Sequence, residues 1–317
     1  MLTDGTAGAD RARRGVGHGT PGSRSVAGWL RREANLTGRM MADDSFIAVL
    51  PIVFSVAAGA YAGRPAVELL AGVGKAVVLA LLFVYVFVSV NQARSGAEDA
   101  LNKPYRPVPA GLVTPKGLGR RFWVAMVVYP VLGWVFGAWP WPLLWQVTTL
   151  VVHSRWASPR YYLWWKTPMN ISGAVTTLAT GWQVSAPLGA TAWTWIATVS
   201  LYFPLAMIFE DVRDMDGDRA IGRRTPALVF GPTFVRRWFA TFSALLPCVV
   251  YFGLARPSGA GDWRGVISAV VLGILSWTCA ARALRRHSRS ADRLTLQLFF
   301  LTWVLTLASA PFLLAKA

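Results

Sequence analysis

The chain has 317 residues, 54% of them hydrophobic and 15% charged, with a formal net charge of +17. A soluble globular domain carries roughly 25% charged residues, so this composition excludes an ordinary soluble fold and points to a polytopic membrane protein. The excess of positive charge does not mark a nucleic-acid binder, because the basic residues lie between apolar runs rather than along one amphipathic face.

Residues 1–44 are rich in Gly, Ser and Arg (RARRGVGHGTPGSRS) and read as a largely disordered basic tail. No apolar core of a cleavable signal precedes residue 45. Arg31, Arg32 and Arg39 are expected at an anionic cytoplasmic surface. Apolar spans follow at 45–63, 70–90, 121–138, 139–152, 168–186, 191–209, 235–254, 264–282 and 293–314. A helix needs about 20 residues to cross the hydrocarbon core. The expectation is therefore an all-α bundle of about nine transmembrane helices around a central cavity. The span at 139–152 is the shortest and contains Pro140 and Pro142.

Orientation comes from lysine and arginine. With a cytoplasmic N-terminus, the inside segments hold 27 of the 32 basic residues, which satisfies the positive-inside rule. Tryptophans gather near span ends (Trp139, Trp141, Trp164, Trp165, Trp193, Trp195), as an interfacial belt would. Cys248 and Cys279 each fall inside an apolar span and read as packing residues.

Two polar stretches, each directly after an apolar span, carry the chemistry. The first is NQARSGAEDALNKPYRP, from Asn91 to Pro107; the second is EDVRDMDGDRAIGRRTP, from Glu210 to Pro226. Asn91, Ser95 and Asp99 are spaced i, i+4, i+8, and Asp211, Asp214 and Asp218 are spaced i, i+3, i+7, so each set shares one helical face. Three carboxylates on one stripe repel one another, and a hard divalent cation relieves that. Mg²⁺ characteristically binds one or two carboxylates plus substrate phosphates. Lys103, Arg106, Arg213, Arg219, Arg223 and Arg224 stand around them, suited to a diphosphate's remaining oxygens. Solvated loops whose acids and bases simply pair would have the same composition. Two such stretches, each continuing a membrane span, weigh against that, since ionisable groups there are costly without a purpose. Asp216 and Glu98 fall off the stripes and read as ordinary loop charges, with Glu210 intermediate. His18 belongs to the tail, while His153 and His287 read as solvated residues of cytoplasmic loops.

Together these stretches resemble the UbiA-type intramembrane prenyltransferase superfamily over essentially the whole chain. The resemblance is carried by NKPYRP (Asn102–Pro107), by DVRDMDGDRAIGRRT (Asp211–Thr225) and by YYLWWKTPMN before the fifth helix. It implies a transmembrane domain over 45–317, with a cavity open laterally to lipid and a cytoplasmic cap made by loops 91–120 and 210–234. Mg²⁺ and a prenyl diphosphate would bind beneath that cap. Asn91, Asp99, Asp211, Asp214 and Asp218 would be the catalytic and metal-binding set. Lys103, Arg106, Lys166, Arg223 and Arg224 would bind the diphosphate, and Ser95 and Asn170 would line the cavity.

One departure matters. Members that prenylate aromatic acceptors usually carry a first motif NDxxDxxxD, whereas this chain has Gln92 after the Asn and Ser95 at the central position. A small residue there resembles the terpene cyclase subgroup. A cyclase ionises its allylic diphosphate and lets the substrate's own double bonds attack the cation. Its cavity should be aromatic, because ring faces stabilise cations without acting as nucleophiles. Phe83, Tyr85, Phe87, Trp182, Tyr202 and Phe203 are candidates, with ordinary packing as the competing explanation. The leading reading is cyclisation of farnesyl or geranylgeranyl diphosphate, with transfer of the prenyl group to an aromatic or other small acceptor as the runner-up. A transporter fits less well, since no Gly/Pro-broken pair of spans recurs in matching halves. Membrane lipid and the prenyl diphosphate are the expected partners, with neither nucleic acid nor an obligatory protein partner.

Overall fold

The computed structural model describes residues 25–154 and 158–315. The expected tail therefore lies outside the described residues up to position 24, His18 included. Its remainder is not disordered. Val26–Met41 forms helix α1, capped by Ser25, whose hydroxyl accepts from the Gly28 amide at 3.2 Å. The helix is amphipathic, burying Leu36 and Met40 while Arg31 and Arg32 stay at the surface. Apolar spacing along one face outweighed the polar composition.

Every expected span is helical: α2 (Ser45–Tyr61), α3 (Ala66–Arg94), α5 (Pro115–Val135), α6 (Trp141–Val152), α7 (Tyr162–Gln183), α8 (Ala190–Ala206), α11 (Pro232–Cys248), α12 (Trp263–Arg285) and α13 (Arg289–Ala308). Shorter helices α4 (Gly96–Asn102), α9 (Glu210–Ala220), α10 (Pro226–Val229) and α14 (Ala310–Leu314) lie between or after them. Consecutive long helices pack against one another, and α13 returns to α2, so the nine close into a ring; α2 also packs across it on α7. One buried cluster joins α2, α7, α8 and α11–α14, and a second joins α1, α2, α3, α5 and α6.

The count of nine crossings is not confirmed. By length and apolarity, five helices among the described residues can span a membrane, or six if the pair α1 and α2, bent by 86°, counts as one. Three elements explain the shortfall. α6 has only 12 residues, about 18 Å at 1.5 Å per residue. α5 opens with PKGLGRR, and α7 carries Lys166, Asn170, Gln183 and several threonines along its length, which lower the hydropathy of both.

Two features of this fold position the cavity. After Pro204, α8 tightens through a single 3₁₀ turn (Met207–Phe209) and resumes as α9, so the second polar motif is the helical continuation of an apolar span. The first motif instead breaks: α3 ends at Arg94, Ser95 leaves helical geometry at φ −92° and ψ 17°, and α4 restarts at Gly96.

Candidate active site

One side chain of α4 bonds twice to the backbone of α9. Asn102 donates from Nδ2 to the Asp214 carbonyl at 3.1 Å and accepts the Gly217 amide at 3.2 Å. The contact is possible because position 217 is glycine: a Cβ there would overlap the Asn102 amide group. The NKPYRP and DMDGD segments thus dock through this asparagine and the missing side chain at Gly217, with the Lys103–Asp214 pair beside them.

Beside this joint lies a cavity of about 1440 Å³. Its polar lining includes Asn91, Ser95, Glu98, Lys103, Arg106, Lys166, Asn170, Glu210, Asp211, Asp214, Asp218 and Arg223. Its apolar lining comes from Phe46, Ile47 and Val49 of α2, Phe87 of α3, Trp165 and Met169 of α7, and Leu296, Phe300 and Val304 of α13.

The acids of the second motif each have a different partner. Tyr162 donates its hydroxyl to Asp211 Oδ1 at 3.0 Å, while Oδ2 of the same buried carboxylate has no hydrogen-bond partner. Asp214 accepts two bonds from Arg213, at 3.0 and 3.2 Å, with Lys103 Nζ 3.7 Å away. Asp218 accepts from Arg223 at 2.6 Å, and the same guanidinium reaches Glu98 at 2.8 Å. Lys166 Nζ lies 3.5 Å from Glu210. The Tyr162 ring is shared by two cations, with Lys166 Nζ 5.4 Å and the Arg223 guanidinium 5.0 Å from its centroid.

The first motif is arranged differently. Asn91 and Ser95 line the cavity, but Asp99, 1% exposed, does not. Its Oδ2 accepts from Ser95 Oγ at 2.6 Å and its Oδ1 from Arg106 at 2.9 Å. Arg106, itself 3% exposed, also pairs with Asp43 at 3.2 Å and Asp44 at 3.7 Å. Burial pushes the carboxyls of Asp99 and Asp44 above the ordinary aspartate range, against the pull of Arg106.

The structure therefore gathers ten of the twelve expected residues on one cavity: Asn91, Ser95, Lys103, Arg106, Lys166, Asn170, Asp211, Asp214, Asp218 and Arg223. Two expectations are corrected. Asp99 lies behind the wall, held there by Ser95 and Arg106. Arg224 is exposed and off the lining, its backbone amide donating to the Pro159 carbonyl at 3.1 Å. Glu98, set aside from the stripes, belongs to the site through Arg223. Asp43, Asp44 and Tyr162 were missed. An acidic pair directly before the first apolar span, and a tyrosine one helical turn before Lys166, were the available signals. His153, expected in solvent, is half-buried on the cavity wall.

Of the aromatic candidates, Phe87 alone lines the cavity. Phe83 stacks on Trp145 with centroids 4.2 Å apart, and Trp182, Tyr202 and Phe203 belong to the packed interior. Tyr85 is partly buried beside Arg121, 3.4 Å from its hydroxyl. Phe46, Trp165 and Phe300 add further apolar rings to the wall, beside Tyr105 and Tyr162.

Among the described residues, no three His, Cys, Asp or Glu side chains converge as a ready-made metal cluster. The donor set still suits a hard cation. It is made of oxygens, Asp211 Oδ2 is buried without a partner, and Mg²⁺ needs only one or two carboxylates when a substrate's phosphates complete its shell.

An apolar helical ring enclosing a cavity with an acid-and-base mouth defines an integral membrane protein built to process an amphiphilic, anionic-headed substrate. The profile of the UbiA prenyltransferase family matches residues 48–305, and the chain belongs to that family. It is accordingly an enzyme of prenyl diphosphate chemistry. Somaliensene A/B synthase of Streptomyces somaliensis is 34% identical over 92% of this chain and 97% of its own length. Diterpene cyclase eriG of Hericium erinaceus is 29% identical over 71% of each. A UbiA homologue of Archaeoglobus fulgidus, solved with DMAPP and Mg²⁺, superposes with a TM-score of 0.56 at 12% identity, covering 89% of this chain and 100% of the other.

Proposed function

We propose that this protein is a Mg²⁺-dependent terpene cyclase that ionises farnesyl or geranylgeranyl diphosphate and closes rings without an acceptor. The observation that carries the cyclase reading is Ser95. Where the resembled acceptor-prenylating members place a carboxylate, this chain places a hydroxyl that is spent on Asp99 at 2.6 Å, leaving the second motif to hold the metal. Likeness to a somaliensene synthase and a diterpene cyclase supports the same choice.

Asp211, Asp214 and Asp218, with Asn91, would hold Mg²⁺ together with the substrate's phosphate oxygens. The ion, when bound, neutralises charge that develops on the leaving diphosphate. Asp99 would join this set only by giving up Arg106. Lys166, Arg223 and Lys103 now pair with carboxylates, and an arriving diphosphate offers them oxygens of higher charge. Tyr162 fixes Asp211 by its hydroxyl and spaces Lys166 from Arg223 by its ring. Phe87, Trp165 and Phe300 present aromatic surface to the cation once the carbon–oxygen bond has broken. The distribution of basic residues supports a cytoplasmic N-terminus and a cytoplasmic mouth.

The test uses membranes containing the full chain, Mg²⁺, and geranyl, farnesyl or geranylgeranyl diphosphate, with no acceptor added. A cyclic hydrocarbon or alcohol formed with pyrophosphate, and lost with chelator or in Asp214→Ala, is the expected result. Silence with all three, followed by activity once aromatic acceptors are supplied, makes the protein a prenyltransferase.

A further inference from the structure

His153 follows the last residue of α6 and turns its ring back on the helix, with Nδ1 2.8 Å from the Thr149 carbonyl. A carbonyl oxygen only accepts, so Nδ1 carries the ring proton and Nε2 keeps its lone pair. The ring lines the same cavity as Phe87, Lys166 and Asn170, and it meets Phe87 edge-on with centroids 6.1 Å apart. Burial, opposed by the Thr149 bond and aided by Arg94, the charged group facing it, draws its pKa below the ordinary histidine value. The imidazole is therefore neutral near pH 7.

A cyclase that yields an olefin must remove a proton from carbon after ionisation, and the rest of the wall is poorly suited to that step. Asp214, Glu210 and Asp218 are paired with cations, and Asp211, bonded only to Tyr162, is the carboxylate assigned above to the metal. Lys166 and Arg223 are already protonated, and Asn170 and Gln297 are not basic. Aromatic faces hold a cation but accept no proton. Among the described lining residues, His153 is the single imidazole.

We propose that His153 is the catalytic base that ends the reaction, its Nε2 taking a proton from a carbon beside the final cationic centre. The electron pair of that C–H bond becomes the new C=C bond, and the imidazole becomes imidazolium. The released diphosphate then accepts the proton and restores the base, so no other reactant is needed. This inference rests on the cyclase reading.

The test compares the purified full chain with His153→Asn and His153→Phe, using Mg²⁺ and farnesyl or geranylgeranyl diphosphate. Pyrophosphate release and product composition are measured separately. Asn keeps an amide donor for the Thr149 carbonyl and lacks the basic nitrogen; Phe fills the space. In both variants pyrophosphate release should stay within about threefold of wild type. The main olefin should fall about tenfold or more relative to water-captured alcohols, within the range a general base supplies. The wild-type olefin fraction should also decline once pH drops below the ordinary histidine range, and the Asn variant should show no such decline. An unchanged product profile in both variants overturns the proposal and gives the deprotonation to the released diphosphate. Loss of pyrophosphate release in both overturns it too, by moving His153 to ionisation or folding. A wild-type product that is wholly alcohol leaves nothing to deprotonate and likewise overturns it. Wild-type silence without an acceptor is distinguishable from all of these, because it removes the cyclase reading itself.

Discussion

The two polar motifs each follow an apolar helix and reach different ends. In the second, Asp211, Asp214 and Asp218 all line the cavity, and each has its own partner. In the first, one guanidinium, Arg106, serves Asp43, Asp44 and Asp99, and Asp99 is sealed behind the wall. The partners account for the difference. α8 passes into α9 through one tightened turn and its three aspartates line the cavity, whereas beyond the α3–α4 break Asp99 stays in contact with Ser95 and is taken up by the buried Arg106. The second motif presents charge to a ligand; the first builds the frame that holds the mouth in place.

The largest effect should come from the presenting motif. Asp218→Ala removes a cavity carboxylate and leaves Arg223 with Glu98 alone. We expect turnover to fall about 100-fold or more, the scale of losing one preorganised electrostatic group, while the purified protein elutes and melts as wild type does. Near-normal turnover would place the metal elsewhere and undo the contrast.

Next in size is a change to the frame. Arg106→Met leaves three carboxylates around an apolar side chain in a buried site, and breaking a buried pair from one side costs about 3–5 kcal/mol. The expected readout is a clear drop in thermal stability, with pyrophosphate release per folded molecule much less affected than in Asp218→Ala. The reverse pattern would show that Arg106 contacts substrate rather than the frame.

Most of the helical ring was legible in the sequence because apolar runs and their breakers are local signals. For the acidic stripes, spacing alone was enough in the second motif and not in the first. Asp211, Asp214 and Asp218 sit on an unbroken helix, so spacing alone placed them on the cavity. Asp99 obeys the same arithmetic and keeps its contact with Ser95, but spacing gives no account of the buried Arg106 that takes its other oxygen. Glu98 fails the spacing rule and still enters the site, because Arg223 reaches it from the other motif. Helix α1 was hidden by the low-complexity composition around it, and His153 by its position at a helix end, where sequence gives no account of which way a ring turns.

A smaller effect sharpens the same contrast. In Ser95→Asp a second carboxylate would replace the hydroxyl that now donates to Asp99, placing like charges within contact. We expect lower stability without metal and a larger thermal shift on adding Mg²⁺ than in wild type, with no aromatic prenylation from this change alone. Acquisition of transferase activity by the single substitution would mean that the first motif, and not the shape of the cavity, selects the reaction.

The smallest effect belongs to Arg224, and it tests whether the boundary of the site lies where the turn puts it. Sequence alone treats Arg223 and Arg224 as equivalent cations. The chain separates them: Gly222 takes φ +66°, a conformation that favours glycine, and the Arg223 amide closes onto the Asp218 carbonyl at 2.9 Å. The Arg223 side chain is thereby returned over Tyr162, while Arg224 follows outward into solvent. Arg223→Ala should raise KM for the prenyl diphosphate about tenfold or more, as expected for losing a charge-assisted contact. Arg224→Ala should leave kcat/KM within about twofold, because an exposed charge is screened and weakly coupled. Equal losses in the two variants would mean that the turn at Gly222 rearranges when substrate binds, bringing the outer arginine onto a diphosphate that the present geometry reserves for the inner one.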